Sequence, residues 1–98
     1  MNTKQNGRPP LFRLGRLLIT QGAIMALVTA NASVFELLKR HAYGDWGEME
    51  EEDKRTNDDA LNEGGRLFSA YTLSTGERLW IITEADRSTT TLLLPMEY

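Results

Sequence analysis

RLFSAYTLSTGERLWIITE, residues 66–84, is the stretch that decides the fold. Two runs rich in β-branched and aromatic residues, 66–73 and 77–84, flank the turn triplet Ser74-Thr75-Gly76. That pattern predicts a β-hairpin. With a three-residue loop, Gly76 takes the left-handed position and Leu73 pairs with Glu77. Ala70 then lies opposite Trp80, Phe68 opposite Ile82 and Arg66 opposite Glu84, each a favourable cross-strand pair worth roughly 0.2–1 kcal/mol. A two-residue loop at Thr75-Gly76 would instead set Tyr71 against Trp80 and Ser69 against Ile82. The Arg66–Glu84 match favours the first register.

Downstream, Ala85-Asp86-Arg87 is a turn and residues 88–94 (STTTLLL) read as a further hairpin strand, ended by Pro95. Upstream, residues 64–65 are a Gly-Gly stop for a short third helix, expected at about 56–63, capped by Thr56 or Asn57 with Ala60 and Leu61 facing inward. The glycine-bracketed loop Gly44-Asp45-Trp46-Gly47 precedes it. Ser33-Val34-Phe35-Glu36 is a capping box that opens a second helix ending at Gly44. Val34, Leu37, Leu38 and His41 share one side of it, and Lys39 and Arg40 suit its last turn. Thr20 caps a first helix with Ala23, Ile24, Leu27 and Val28 at helical spacing, ending at Asn31 or Ala32. Residues 11–19 read as a first strand, and residues 1–10, with Asn6-Gly7 and Pro9-Pro10, as a disordered tail. The expected fold is α+β: a three- to four-stranded antiparallel sheet, two N-terminal helices on one face and the short third helix, in one domain over 11–98. Phe68, Trp80, Ile82, Leu27, Phe35 and Leu38 are the expected core.

The chain has 98 residues, 41% hydrophobic and 26% charged, which suits one globular domain and argues against wholesale disorder. It has no cysteine, so disulfides, thiolate zinc sites and a cysteine nucleophile are excluded. Apolar runs such as 23–28 and 92–94 fall far short of the roughly 20 residues a bilayer needs, and a cytoplasmic protein is expected. Charge is laid out in blocks. Residues 1–43 hold six Lys/Arg against Glu36 (+5), residues 44–65 hold nine acids against Lys54 and Arg55 (−7), and residues 66–98 hold three Arg against four acids (−1), which sums to the net −3. The acidic block reads as a solvated connector or as a contact surface, with Glu51, Glu52 and Asp53 as candidate partner-binding residues.

No metal or cofactor is expected. The acids of 48–53 are consecutive, the calcium-loop spacing is absent, and the glycines match no phosphate or dinucleotide fingerprint. His41 is the only histidine, so any imidazole chemistry uses it. Its plain reading is a helix-end residue against Trp46, with Asp45 orienting it or making the turn. Ser69, Tyr71 and Thr83 share a strand face, and Arg87, Ser88 and Thr90 sit by the last turn. Hydroxyls beside Arg can hold a phosphate or an oxyanion, or can simply pair across strands.

Gly44-Asp45-Trp46-Gly47, Asn57, Ala60-Leu61, Gly65-Arg66, Ser69-Ala70-Tyr71, the run 79–88 (LWIITEADRS), Thr90-Thr91 and 92–95 (LLLP), with Glu97-Tyr98, together resemble a family of small uncharacterised bacterial proteins, often plasmid-associated, some labelled as restriction-system proteins. The resemblance covers about residues 12–98 and names no activity. A fainter one is to phage and toxin nucleases of the barnase/RelE-like group: two helices ending in His-x-x-Gly-Asp-Trp-Gly before a sheet bearing Thr-Glu and Arg-Ser. It implies a metal-free ribonuclease with His41 as acid/base, Arg66 or Arg87 on the phosphate, and Ser69, Tyr71, Thr83 or Thr90 positioning it. The expected function is an accessory protein of mobile DNA acting by protein–protein contact. The nuclease is the alternative, with RNA as its partner, and pairing of two copies through a sheet edge is a further expectation.

Overall fold

The computed structural model describes residues 8–98. The first seven residues of the expected tail lie outside them, and Arg8 to Pro10 are exposed coil. The elements run β1 (Arg16–Ile19), α1 (Gln21–Ala30), α2 (Val34–Ala42), α3 (Glu51–Glu63), β2 (Leu67–Thr72), β3 (Arg78–Thr83), β4 (Thr89–Leu93) and a terminal 3-10 turn (Pro95–Glu97). The fold is α+β, with a four-stranded sheet of order β1-β4-β3-β2.

The hairpin takes the three-residue-loop register: Phe68 faces Ile82 and Ala70 faces Trp80. Leu73 and Glu77 close the loop, where the Leu73 N–H donates to the Glu77 carbonyl at 2.8 Å. Gly76 has φ 94°, which only glycine adopts without strain. Arg66 reaches Glu84 at 3.5 Å. The sheet, however, is mixed. β2, β3 and β4 are antiparallel, but β1 pairs parallel with β4, Leu17 beside Thr90 and Ile19 beside Leu92. β1 is also shorter than the expected 11–19. Three helices and the β2–β3 hairpin lie between β1 and β4 in the chain, room enough for the crossover a parallel pair requires.

Thr20 caps α1, its hydroxyl accepting the Ala23 N–H at 3.1 Å, and Asn31 ends it in the left-handed conformation. Ser33 caps α2 by accepting the Glu36 N–H. The sequence assigns no role to Glu97, yet its carboxylate accepts from the Thr20 hydroxyl, the Gly22 N–H (3.0 Å) and the Leu94 N–H (2.8 Å). The C-terminal turn is thereby tied to the positive end of α1. Those bonds, that from Thr20 first, hold the Glu97 carboxyl below its usual range.

The third helix starts five residues earlier than expected. Glu51, Glu52 and Asp53 form its first turn, where negative side chains oppose the helix dipole favourably. Thr56 and Asn57 are therefore interior, not caps.

The core lies on the other sheet face from the one expected. Tyr71, Leu79, Ile81 and Leu92 are buried against Ala23, Ala26 and Leu27 of α1 and Leu37 and Leu38 of α2, and Leu67 of β2 is buried with Trp46 and Ala60. Of the expected core, Leu27, Leu38 and Ile82 are buried, Phe68 and Trp80 are only half-buried, and Phe35 is 82% exposed. On that second face Phe68, Trp80 and Tyr98 meet edge to face, with centroids 4.8–6.4 Å apart.

Candidate functional site

Four of the seven candidate catalytic residues do meet, but inside the core. His41, Ser69, Thr83 and Thr90 are each 0% exposed. The His41 Nδ1 lies 2.6 Å from the Ser69 Oγ and its Nε2 2.9 Å from the Thr83 Oγ1. Thr83 reaches Thr90 at 2.7 Å, and Thr90 donates to the Leu14 carbonyl at 2.6 Å. The carbonyl can only accept, so each hydroxyl proton has one direction left to it. Thr83 donates to Thr90, the His41 Nε2–H donates to Thr83, and Ser69 donates to Nδ1. The imidazole is thus assigned as the neutral Nε2–H tautomer. Burial pushes its pKa down to about 3, and the rings of Phe12 and Trp46 pack on it at 5.2 and 5.7 Å. This chain ties α2, β2, β3, β4 and the segment before β1 together with every polar atom satisfied.

Ser69 on His41 is two-thirds of a nucleophilic triad. The third place is taken by Thr83, a hydroxyl, and no surface opens on the serine. Asp45 turns away, accepting from the Arg40 Nε at 2.7 Å and from the Gly47 N–H at 3.2 Å. The Arg40 hydrogen bond holds its carboxyl below the usual range. Asp45 therefore shapes the GDWG loop and does not orient His41. Tyr71 is 1% exposed and donates to the Asp45 carbonyl at 2.6 Å. Burial pushes its phenol up to about 12.

The two arginines stand apart from that chain. Arg87 has φ 62° and its guanidinium donates to four carbonyls: Gly65 (2.6 Å), Glu84 (3.1 Å), Ala85 (3.1 Å) and Ala60 (3.0 Å). A cation on the Ala60 carbonyl sits at the C-terminal end of α3, where the dipole favours it. Arg66 donates to the Tyr98 hydroxyl at 2.9 Å on the outer face. The structure brings His41, Ser69, Thr83 and Thr90 together and leaves Arg66, Arg87 and Tyr71 engaged elsewhere.

The accessible feature lies on that outer face. Residue 57 supplies it with an edge. The Asn57 amide, 3% exposed, donates to the Phe68 carbonyl at 2.8 Å and accepts the Phe68 N–H at 3.1 Å. It imitates one peptide unit of a neighbouring strand. Two residues on, the Ala70 N–H donates to the Trp46 carbonyl (3.1 Å) and the Ala70 carbonyl accepts the Glu48 N–H (2.7 Å). Gly47 sits between them at φ 82°, where an added Cβ would fall 2.1 Å from the Ala70 carbonyl oxygen. The outer edge of β2 is closed by these two devices, and α3 is held away from the sheet by one side chain's width.

A groove of about 890 Å³ remains between α3 and the outer face. Its floor is Phe68, Ala70 and Trp80; Glu50, Asp53 and Lys54 line it from the start of α3, and Arg66 and Arg78 line it from the strands. Six residues separate Arg66 from Thr72, the partner of Arg78, so the two arginines stand about 20 Å apart at about 3.3 Å per residue. Among the described residues no cation lies within 4 Å of the Glu50, Glu52 or Asp53 carboxylates. No three His, Cys, Asp or Glu side chains of the described residues are placed to share a metal ion, and no single helix of theirs is long and apolar enough to cross a membrane.

The sequence offers Glu51, Glu52 and Asp53 as contact residues, but it points to Asn57 only as a cap and to Trp46 only as a neighbour of His41, not to either as a scaffold. The signal for Asn57 was present: a lone amide at the inward position of a helix whose next inward residue is Ala60. No protein-family model, no curated protein and no solved structure matches this chain.

Proposed function

We propose that this protein is a non-enzymatic accessory protein of the bacterial cytoplasm, of the plasmid-associated kind its sequence resembles, that holds a partner protein in the groove between α3 and the outer sheet face. The observation that carries this is the groove itself: an aromatic floor at Phe68 and Trp80 beside unpaired carboxylates at Glu50 and Asp53. Apolar floor with a charged rim is the composition of a protein contact. It suits an extended segment carrying Lys or Arg, and Glu51 and Glu52 on the same turn add to the field such a segment meets. Against the ribonuclease stands the burial of His41, which reaches no substrate, and the engagement of Arg87 with four carbonyls. The net charge of −7 over residues 44–65, which supply the helical wall, also works against a phosphate backbone.

The test is partner capture by crosslinking in the native host with wild type and with the double variant Glu51→Lys, Asp53→Lys. One stoichiometric protein should be recovered by wild type and lost from the variant, while Trp80→Ala weakens capture about tenfold or more, as loss of an aromatic anchor does. Recovery of no specific protein, equal recovery by the charge-reversed variant, or recovery of RNA alone overturns the reading.

A further inference from the structure

The sheet has two edges, and they are treated differently. β2 is closed by Asn57 and by the Trp46–Glu48 backbone. β1 is open. Arg16 and Thr20 donate their N–H groups to the Ser88 and Leu92 carbonyls across the parallel pair. By strand alternation the N–H and C=O of Leu17 and Ile19 then point outward. Among the described residues nothing pairs with them. An exposed edge is normally blunted by charge, proline or a bulge; here the one charge is Arg16 at the start of the strand, and residues 17–35 contain no charged side chain. Leu17, Leu18 and Ile19 are 46%, 42% and 37% exposed. α1 follows after Thr20 alone and exposes Ile24, Met25 and Val28 at 47%, 62% and 73%.

We infer that β1 is the contact between two copies of this chain, joined antiparallel across a two-fold axis through Leu18 into one eight-stranded sheet. The strand is complementary to itself in that register. Leu17 of one copy meets Ile19 of the other twice, so both pairs of outward backbone groups are satisfied, and Leu18 meets Leu18 on the axis as a non-hydrogen-bonded pair. Arg16 falls opposite Thr20. Sliding the register by two residues in the other direction along each strand would set Arg16 against Leu18, and by four against Arg16, which like charge disfavours. A C2 contact of this kind uses the same patch on both subunits. Uncharged apolar exposure alone would also suit a lipid surface. Lipid offers no partner to the Leu17 and Ile19 backbone groups, whereas a second strand does. The contact is independent of the groove and would place the two β2 edges, with their grooves, at opposite ends of the sheet. Seven strand spacings of about 4.8 Å put them about 34 Å apart.

The chain has no cysteine, so single-cysteine variants report the register directly. Opposed residues have Cα atoms about 4.5 Å apart in a non-hydrogen-bonded pair such as Leu18–Leu18 and about 5.5 Å apart in a hydrogen-bonded pair such as Leu17–Ile19, both within disulfide reach, while residues offset by two along the strands are not. Light scattering of wild type at micromolar concentrations should give twice the 11.1 kDa chain mass. Leu18→Cys should oxidise to a covalent dimer, and Leu17→Cys should not do so alone but should crosslink when mixed with Ile19→Cys. Leu18→Lys, at an exposed position, should be monomeric with an unchanged circular dichroism spectrum. A monomeric wild type, self-crosslinking of Leu17→Cys as fast as Leu18→Cys, a Leu18→Lys dimer, or co-sedimentation of monomer with phosphatidylcholine vesicles overturns the inference.

Discussion

Replacing His41 by alanine is expected to lower the unfolding free energy by about 3–5 kcal/mol, the range for removing a large buried side chain and leaving polar partners behind. The imidazole fills space between Phe12 and Trp46 and joins Ser69 to Thr83. Without it the Ser69 hydroxyl loses its acceptor and Thr83 its donor, both in sites closed to water. A domain of this size usually has about 5–15 kcal/mol to lose, so the variant should be marginally folded. A companion effect belongs to wild type. The folded imidazole titrates at about 3, the unfolded one near 6.5. Between those values the unfolded state binds the extra proton. Stability is therefore full above about pH 6.5 and falls as pH drops below it, approaching about 1.4 kcal/mol per unit. His41 is the only histidine, so between about pH 7 and 5.5 it is the one side chain whose unfolded-state charge changes appreciably. Urea titrations across that window should show the slope in wild type and none in His41→Gln, which keeps a donor and an acceptor. An imidazole carbon-bound proton resonance that titrates near pH 6.5 in the folded protein would contradict the closed, neutral site.

That His41 is reached from Leu14, Ser69, Thr83 and Thr90 explains why sequence reading stopped short of it. The bonds span 28 residues to Ser69, 42 to Thr83 and, from Thr90 to Leu14, 76. No local pattern records such distances. The hairpin register was legible because turn chemistry and an ion pair, Gly76 and Arg66–Glu84, act within one local unit. Its buried face was not. Leu67, Tyr71, Leu79 and Ile81 on one side and Phe68, Trp80 and Ile82 on the other are both apolar, and alternation cannot choose between them. The helices decide, and α1 and α2 took the side with Ser69 and Thr83. The parallel pairing of β1 with β4 was hidden for the same reason: it is settled by a partner more than 70 residues away. The acidic run was misread as a connector because its charge looks solvated, although three acids followed by an amide and an alanine at inward spacing fit the first turns of a helix. Of the candidate site, the acidic wall was visible in sequence. The floor was not, because Phe68 and Trp80 were assigned to the core.

Asn57→Asp is expected to cost about 2–4 kcal/mol at neutral pH, the scale for a buried group left facing a like partner. The substitution is nearly isosteric. The Oδ1 atom still accepts the Phe68 N–H, but the atom that donated to the Phe68 carbonyl at 2.8 Å becomes a second acceptor. Two oxygens, one charged, then confront each other at a residue 3% exposed. Protonation repairs the contact, since a carboxylic acid can donate to the carbonyl. The carboxyl pKa should therefore rise above its ordinary value in the folded state, and the lost stability should return as pH falls through that raised pKa. The sign is opposite to that of His41. In the same urea titrations the variant should lose stability less steeply than wild type on acidification, or gain it. Asn57→Ala, which removes both bonds without adding charge, should be destabilised by about 1–3 kcal/mol with the wild-type pH slope. Amide exchange at Phe68 separates the two, remaining protected in Asn57→Asp at low pH and unprotected in Asn57→Ala throughout. Because the same amide holds α3 at its distance from Phe68, partner capture by the groove should fail in Asn57→Asp at pH 7.5 and recover toward pH 5.5. Unchanged stability of the aspartate variant at neutral pH would mean that α3 is held to the sheet by other contacts and that the groove wall does not depend on this side chain.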